Sequence, residues 1–174
     1  RIAHANFLDD LSIERDGEKP TAPAVYLSGN GPLVEVLQYE LKKGGGGGST
    51  FVRGVKQYVQ RYSKPKSPIP PEHVLIFDEA QRAWDKEQVR AKHSNTPGYG
   101  GGKSEPEHFI EFSNRIPEWS VVIGLVGGGQ EINIGEEAGI SQWRDAILGA
   151  GNCEEWTVHG SSGIKSSFLS EDLK

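Results

Sequence analysis

Methionine is absent from the 174-residue sequence, and cysteine occurs once, at Cys153. One thiol excludes an internal disulfide framework and points to a reducing compartment, so a cytoplasmic location is expected. A chain that begins at Arg1 and contains no methionine reads as an excerpt of a longer protein. No apolar run approaches the roughly 18 residues of a membrane-spanning helix, and no signal-peptide pattern opens the chain. The histidines (His4, His73, His93, His108 and His159) have no metal-ligand spacing, and Cys153 has no local nucleophile signature. What is present, 35% hydrophobic and 25% charged residues, fits one folded domain.

Charge is unevenly spread. Seven basic residues and no acidic ones lie between Lys42 and Lys66, leaving 12 basic against 24 acidic residues elsewhere. Such a block is either a polyanion contact or a solvated helix face.

Along the chain, helical and extended patterns alternate. Residues 2–12 read as an amphipathic helix, "AVYLS" (24–28) as a buried strand, and Leu33–Leu41 as a helix with Pro32 in its first turn. The glycine run at 44–49 reads as a flexible linker, of a composition common in shortened or engineered loops. Thr50 is placed to cap a helix with Val52, Val55, Val59 and Tyr62 on one face. "HVLIFDE" (73–79) is the strongest strand pattern, and "AQRAWDKEQVRA" reads as helical. Ser104 and Glu107 form a capping-box pair ahead of Phe109, Ile110 and Phe112. "WSVVIGLVGGGQ" (119–130) reads as a second buried strand, "SQWRDAILGAG" as a helix capped by Ser141, and "EWTVH" as a last strand. The alternation implies an α/β fold with a mainly parallel sheet, in a single domain over 1–174.

One stretch, "GYGGGKS", imitates the end of a phosphate-binding P-loop. It has Pro97 where the first glycine is required, follows a helical segment, and comes after the acidic strand it should precede. It reads instead as a mobile loop over 94–103, with Ser104 as a helix cap. The better candidate is the end of "VLIFDE", where a doubly buried strand delivers Asp78 and Glu79 at its carboxyl end. In P-loop NTPases the first such acid holds Mg²⁺ and the second activates the attacking water; a strand simply leaving into a charged helix explains the same residues. About 50 residues later "VVIGLVGGGQE" places Gln130 where superfamily 1 helicases carry a γ-phosphate sensor. A glycine-rich turn with a solvated polar residue is the plain alternative.

Together, "VYLSGNGPLVEVL", "LIFDEAQRAWD", "KSEPEHF" and "LVGGGQEINIGEEAGISQW" resemble the uncharacterised P-loop ATPase family grouped with Schlafen group 3-like DNA/RNA helicase domains, over roughly residues 1–150. The resemblance implies a three-layer RecA-like core, Mg²⁺ and ATP as ligands, and nucleic acid as partner. Within it Asp78 is the metal acid, Glu79 the water-activating acid and Gln130 the γ-phosphate sensor, while Arg82 and Arg115 are candidates for charge stabilisation. It also places the P-loop just upstream of the first helix, so the sequence reads as a core incomplete at its N-terminus, without a second lobe. Little ATPase activity is then expected from this chain alone.

Ser28 and Asn30 in "SGNGP" can grip a nucleic-acid backbone or can simply turn a strand into a helix. Arg53, Lys56, Arg61 and Lys64, interleaved with Phe51, Tyr58 and Tyr62, support a second reading: a non-catalytic module binding single-stranded nucleic acid. A protein-interaction module with a degenerate ATPase fold is a third. Trp84 and Trp143 are expected to pack rather than stack on bases.

Overall fold

The computed structural model describes residues 23–46, 48–64, 66–93, 102–127 and 137–161. Its elements, in chain order, are β1 (Ala24–Ser28), α1 (Gly31–Lys43), the single turn α2 (Gly48–Phe51), β2 (Val52–Gly54), α3 (Val55–Tyr62), β3 (Val74–Phe77), a 3₁₀ turn (Ala80–Arg82), α4 (Lys86–His93), α5 (Glu105–Arg115), β4 (Val121–Gly124), α6 (Glu137–Leu148) and a second 3₁₀ turn (Cys153–Glu155). The strands form one all-parallel sheet in the order β2-β1-β3-β4. This is the α/β arrangement of a RecA-like core.

Parallel neighbours need crossover connections, and right-handed crossovers decide which face each helix covers. The steps β2 to β3 and β3 to β4 run in one direction across the sheet, so α3 and α5 share a face. The step β1 to β2 runs the other way and sends α1 to the opposite face. Side-chain alternation agrees with this. Val25, Leu27, Leu75 and Phe77 pack with Val55, Tyr58, Val59, Tyr62, Phe109 and Phe112, whereas Ala24, Val74 and Ile76 meet Tyr26, Phe51, Trp119 and Ile123 on the other side. Fully burying each large apolar side chain is worth about 1.5–3 kcal/mol, which makes the α3/α5 face the main stabiliser.

Local signals set several boundaries. The side chain of Asn30 accepts from the N–H of Leu33 at 3.2 Å, Pro32 occupies the first turn of α1, and Gly44 closes it. Ser104 and Glu107 form a complete capping box at α5. Trp143 is buried and Trp84 packs against the same core.

Elsewhere tertiary pairing overrode the pattern. Val52 does not belong to a helix: Val52–Gly54 pairs with Tyr26–Ser28 as edge strand β2, and α3 starts only at Val55. The glycine run closes α1 at Gly44 and reaches α2 at Gly48, which lies against the carbonyl of Gln38 where a Cβ would not fit. The "AQRAWDKEQVRA" stretch splits into a 3₁₀ turn and α4, separated at Ala83–Asp85. β4 is only four residues long and half-exposed, because it is an outer strand and not a doubly covered one. α6 begins at Glu137, so Ser141 lies inside it, and residues 156–161 form no strand. The helix read at 2–12 and most of the 94–103 loop lie outside the described residues. Among the described residues no helix is long and apolar enough to cross a membrane.

Candidate functional site

The site is built at the carboxyl ends of β1 and β3. Tyr26 pairs in register with Ile76. Continuing two residues along each parallel strand sets Ser28 beside Asp78 on the same face of the sheet. The N–H of Asp78 donates to the carbonyl of Leu27 at 2.9 Å, which extends the ladder to the acid itself. The Ser28 hydroxyl donates to Asp78 Oδ2 at 3.2 Å and accepts from the N–H of Asn30 at 3.2 Å. The Tyr26 phenol, on the same face of β1, lies close enough to Asp78 to feel its charge. Burial first, then interaction with Asp78 and the negative charge of Glu79, pushes the Tyr26 phenol well above its usual range.

Glu79 faces different partners. Its backbone is left-handed (φ 53°, ψ 48°), a conformation costing a non-glycine residue about 1–2 kcal/mol. Three hydrogen bonds impose it on the turn. The N–H of Ala80 donates to the carbonyl of Leu125 at 2.8 Å, the N–H of Arg82 to that of Glu79 at 2.7 Å, and Trp143 Nε1 to that of Ala80 at 2.9 Å. Helix α6 approaches so closely that any side chain at Gly139 would overlap the Gln81 carbonyl. The Glu79 carboxylate accepts from Gln81 Nε2 at 2.6 Å and lies 3.6 Å from Arg82 Nε. Gln81 Oε1 in turn accepts from the N–H of Gly127 at 3.4 Å.

Asp78, with the Ser28 hydroxyl beside it and no soft donor at hand, offers the kind of oxygen ligand that would suit Mg²⁺. That ion takes one or two carboxylates and completes its shell with water and phosphate oxygens.

A strand-end acid pair in a parallel α/β sheet is a nucleotide-site geometry shared by many families, so sequence relationship must narrow it. A family model described as Schlafen group 3, DNA/RNA helicase domain, matches residues 5–167. The chain belongs to that family. A helicase-like, nucleic-acid-related function follows at that level. No curated protein and no solved structure shows significant similarity to the chain.

In this Schlafen group 3 domain the sequence candidates fall into separate places. Asp78, Glu79, Arg82 and Ser28 come together, with Asn30 one hydrogen bond away at the first turn of α1. Ser28 is buried and occupied by Asp78, whereas Asn30 is exposed. Gln130 lies outside the described residues, although Gly127, three residues before it, touches Gln81. Arg115 is remote from the acids, donating to the carbonyls of Tyr62 and Ser67 at 2.6 Å and of Pro68 at 3.0 Å, where it straps the proline connector to α5.

The basic segment is divided. Arg53 donates to the Thr50 carbonyl and pairs with buried Glu72 at 3.0 Å, while Lys56, Arg61 and Lys64 are exposed. Tyr58 and Tyr62 point into the core, so they cannot act as stacking platforms.

Sequence reasoning missed Tyr26 and Gln81. Tyr26 carried a legible signal, since it stands two residues before Ser28 and therefore on the same strand face. Gln81 adjoins the acid pair, but only the Glu79 turn brings its amide back onto the carboxylate.

Proposed function

We propose that this domain binds Mg²⁺–ATP at the carboxyl ends of β1 and β3 and couples hydrolysis to action on nucleic acid. The observation that carries the reading is the delivery of Asp78 and Glu79 from a fully buried strand into two distinct, pre-set environments. Asp78, with hydroxyls on its sheet side, is the residue that would hold the metal. Bound Mg²⁺ would neutralise phosphate charge and orient the phosphoryl group. Glu79, lifted out of the strand by its left-handed backbone, would accept a proton from the attacking water. Gln81 holds the Glu79 carboxylate in one orientation. Arg82, half-exposed beside Glu79, would offset charge that develops on the transferred group. Gln130 is assigned to the γ-phosphate from the resemblance of its motif.

The test is Mg²⁺-dependent nucleotide binding and ATP turnover by the protein. Glu79→Gln should lower turnover by about 10²–10⁴-fold while nucleotide binding is retained. Unchanged turnover in Glu79→Gln, or no Mg²⁺-dependent nucleotide binding by the wild-type protein, overturns the proposal.

The exposure of Lys56, Arg61 and Lys64 supports a second reading, a nucleic-acid contact independent of ATP. With Tyr58 and Tyr62 buried, that contact would be chiefly electrostatic. Its affinity for single strands should fall with salt at a logarithmic slope of about 0.7 per neutralised phosphate, and ATP should not alter it.

A further inference from the structure

Asp78 and Glu79 are adjacent in sequence, yet different parts of the fold hold them. Glu79 is held by its own turn, through Gln81 and Arg82. Asp78 receives a side-chain hydrogen bond from Ser28 of β1, 50 residues away along the chain. The hydrogen-bond direction in this group follows from the chemistry of its members. A backbone N–H can only donate, so Ser28 Oγ accepts from Asn30. A carboxylate accepts, so the Ser28 proton points at Asp78 Oδ2. The Tyr26 phenol stands beside the same carboxylate, two residues before Ser28 and so on the same face of β1.

Both hydroxyls arise from one face of β1 at alternate positions, directly across from Ile76 and Asp78. Neither is free to leave. Ser28 is 3% exposed, and the Tyr26 ring rests against Phe51 with centroids 6.4 Å apart. With the Ser28 donor and the Tyr26 ring on the sheet side of the carboxylate, its free lone pairs are left for a ligand away from the sheet.

We infer that Ser28 and Tyr26 are positioning residues for Asp78, fixing from the neighbouring strand the direction in which this acid presents itself to a divalent cation. The inference rests on the assignment of Asp78 as the metal acid made above. Their contribution is the orientation of the acid, the kind of outer-shell support whose loss typically costs about 10–100-fold in metal affinity.

The test uses the protein with Mn²⁺ as an electron-paramagnetic probe, titrated with and without ADP. Binding of ADP alone and the thermal unfolding midpoint are measured in parallel. In the wild type, Mn²⁺–ADP should bind more tightly than ADP. Ser28→Ala should weaken Mn²⁺–ADP by about 10-fold or more and Tyr26→Phe by several-fold, with metal-free ADP binding unchanged in both. Ser28→Thr keeps the hydroxyl and should restore most of the affinity.

Wild-type affinity for Mn²⁺–ADP in Ser28→Ala and Tyr26→Phe overturns the inference and leaves the nucleotide-site reading intact. So does an equal loss of ADP and Mn²⁺–ADP, or a failure of Ser28→Thr to rescue, since either marks a purely structural hydroxyl. A wild-type protein that shows no metal-dependent gain for ADP removes the nucleotide-site reading itself.

Discussion

The two outer strands end the sheet in opposite ways. β2 is finished by side chains. Gln38 from α1 donates to the carbonyl of Val52 at 2.7 Å, and Arg53 turns inward to Glu72, which also accepts from the Tyr58 hydroxyl at 2.9 Å. Among the described residues β4 has no such border. Its N–H groups at Val121 and Leu125 bond to β3, so those of Val122 and Gly124 face outward. Val121 is 43% exposed, Leu125 41% and Val126 38%, beside a cavity of about 1160 Å³ lined by Ile110, Trp143, Ile147, Trp156 and Val158. The contrast teaches that apolar sequence does not guarantee cover. β4 reads as the more hydrophobic strand, yet polar side chains make β2 the better sealed.

The closed edge is where a single change should cost most. Glu72→Ala leaves Arg53 and the buried Tyr58 hydroxyl without their acceptor, and should lower the unfolding free energy by about 3–5 kcal/mol in urea titrations. A loss below about 1 kcal/mol would show that the border is decorative. Burial raises Glu72 above the usual carboxylate range, despite the opposing pull of Arg53 and the Tyr58 hydroxyl.

A second buried carboxylate, Glu105, sharpens the comparison because its partner is weaker. It is 4% exposed at the start of α5 and accepts from the backbone N–H of Trp84 at 2.9 Å. Burial pushes it from 4.5 up to about 7, against that one hydrogen bond. A raised folded value means that its stabilising contribution is complete below pH 4.5 and is lost as pH rises through about 7. The wild type should therefore lose up to about 3 kcal/mol of stability from this group between pH 4.5 and pH 8. Glu105→Gln should flatten that part of the profile. An unchanged slope in the variant would reassign the pH dependence to other groups.

The smallest effect is expected at the open edge. Val121→Lys removes little buried surface and should change stability by no more than about 0.5 kcal/mol in the same titrations. A loss above about 2 kcal/mol would mean that this edge is covered in solution, and the contrast with β2 would fail.

Much of this organisation was legible residue by residue. β1, α1, the capping box of α5 and the doubly buried strand ahead of Asp78 follow from short-range signals: alternation or apolar runs, an asparagine cap, and a serine with a glutamate three residues on. Failures occurred where the deciding contact is distant. Val52 has helical neighbours but pairs with Tyr26. Arg53 has the exposed look of a nucleic-acid contact but meets Glu72 from the far end of the connector. Arg115 resembles a charge stabiliser and instead ties three carbonyls. β4 has the composition of an inner strand and the position of an outer one.

The sequence by itself determined the α/β class, the family and the adjacency of Asp78 and Glu79, because patterning and motifs are properties of neighbouring residues. Only the tertiary structure decided what each acid faces. Asp78 looks to hydroxyls brought in by β1, and Glu79 to an amide on its own turn, which β4 and α6 hold in place. Strand pairing creates those contacts between segments far apart in the chain, and their strength depends on a register that no single segment carries.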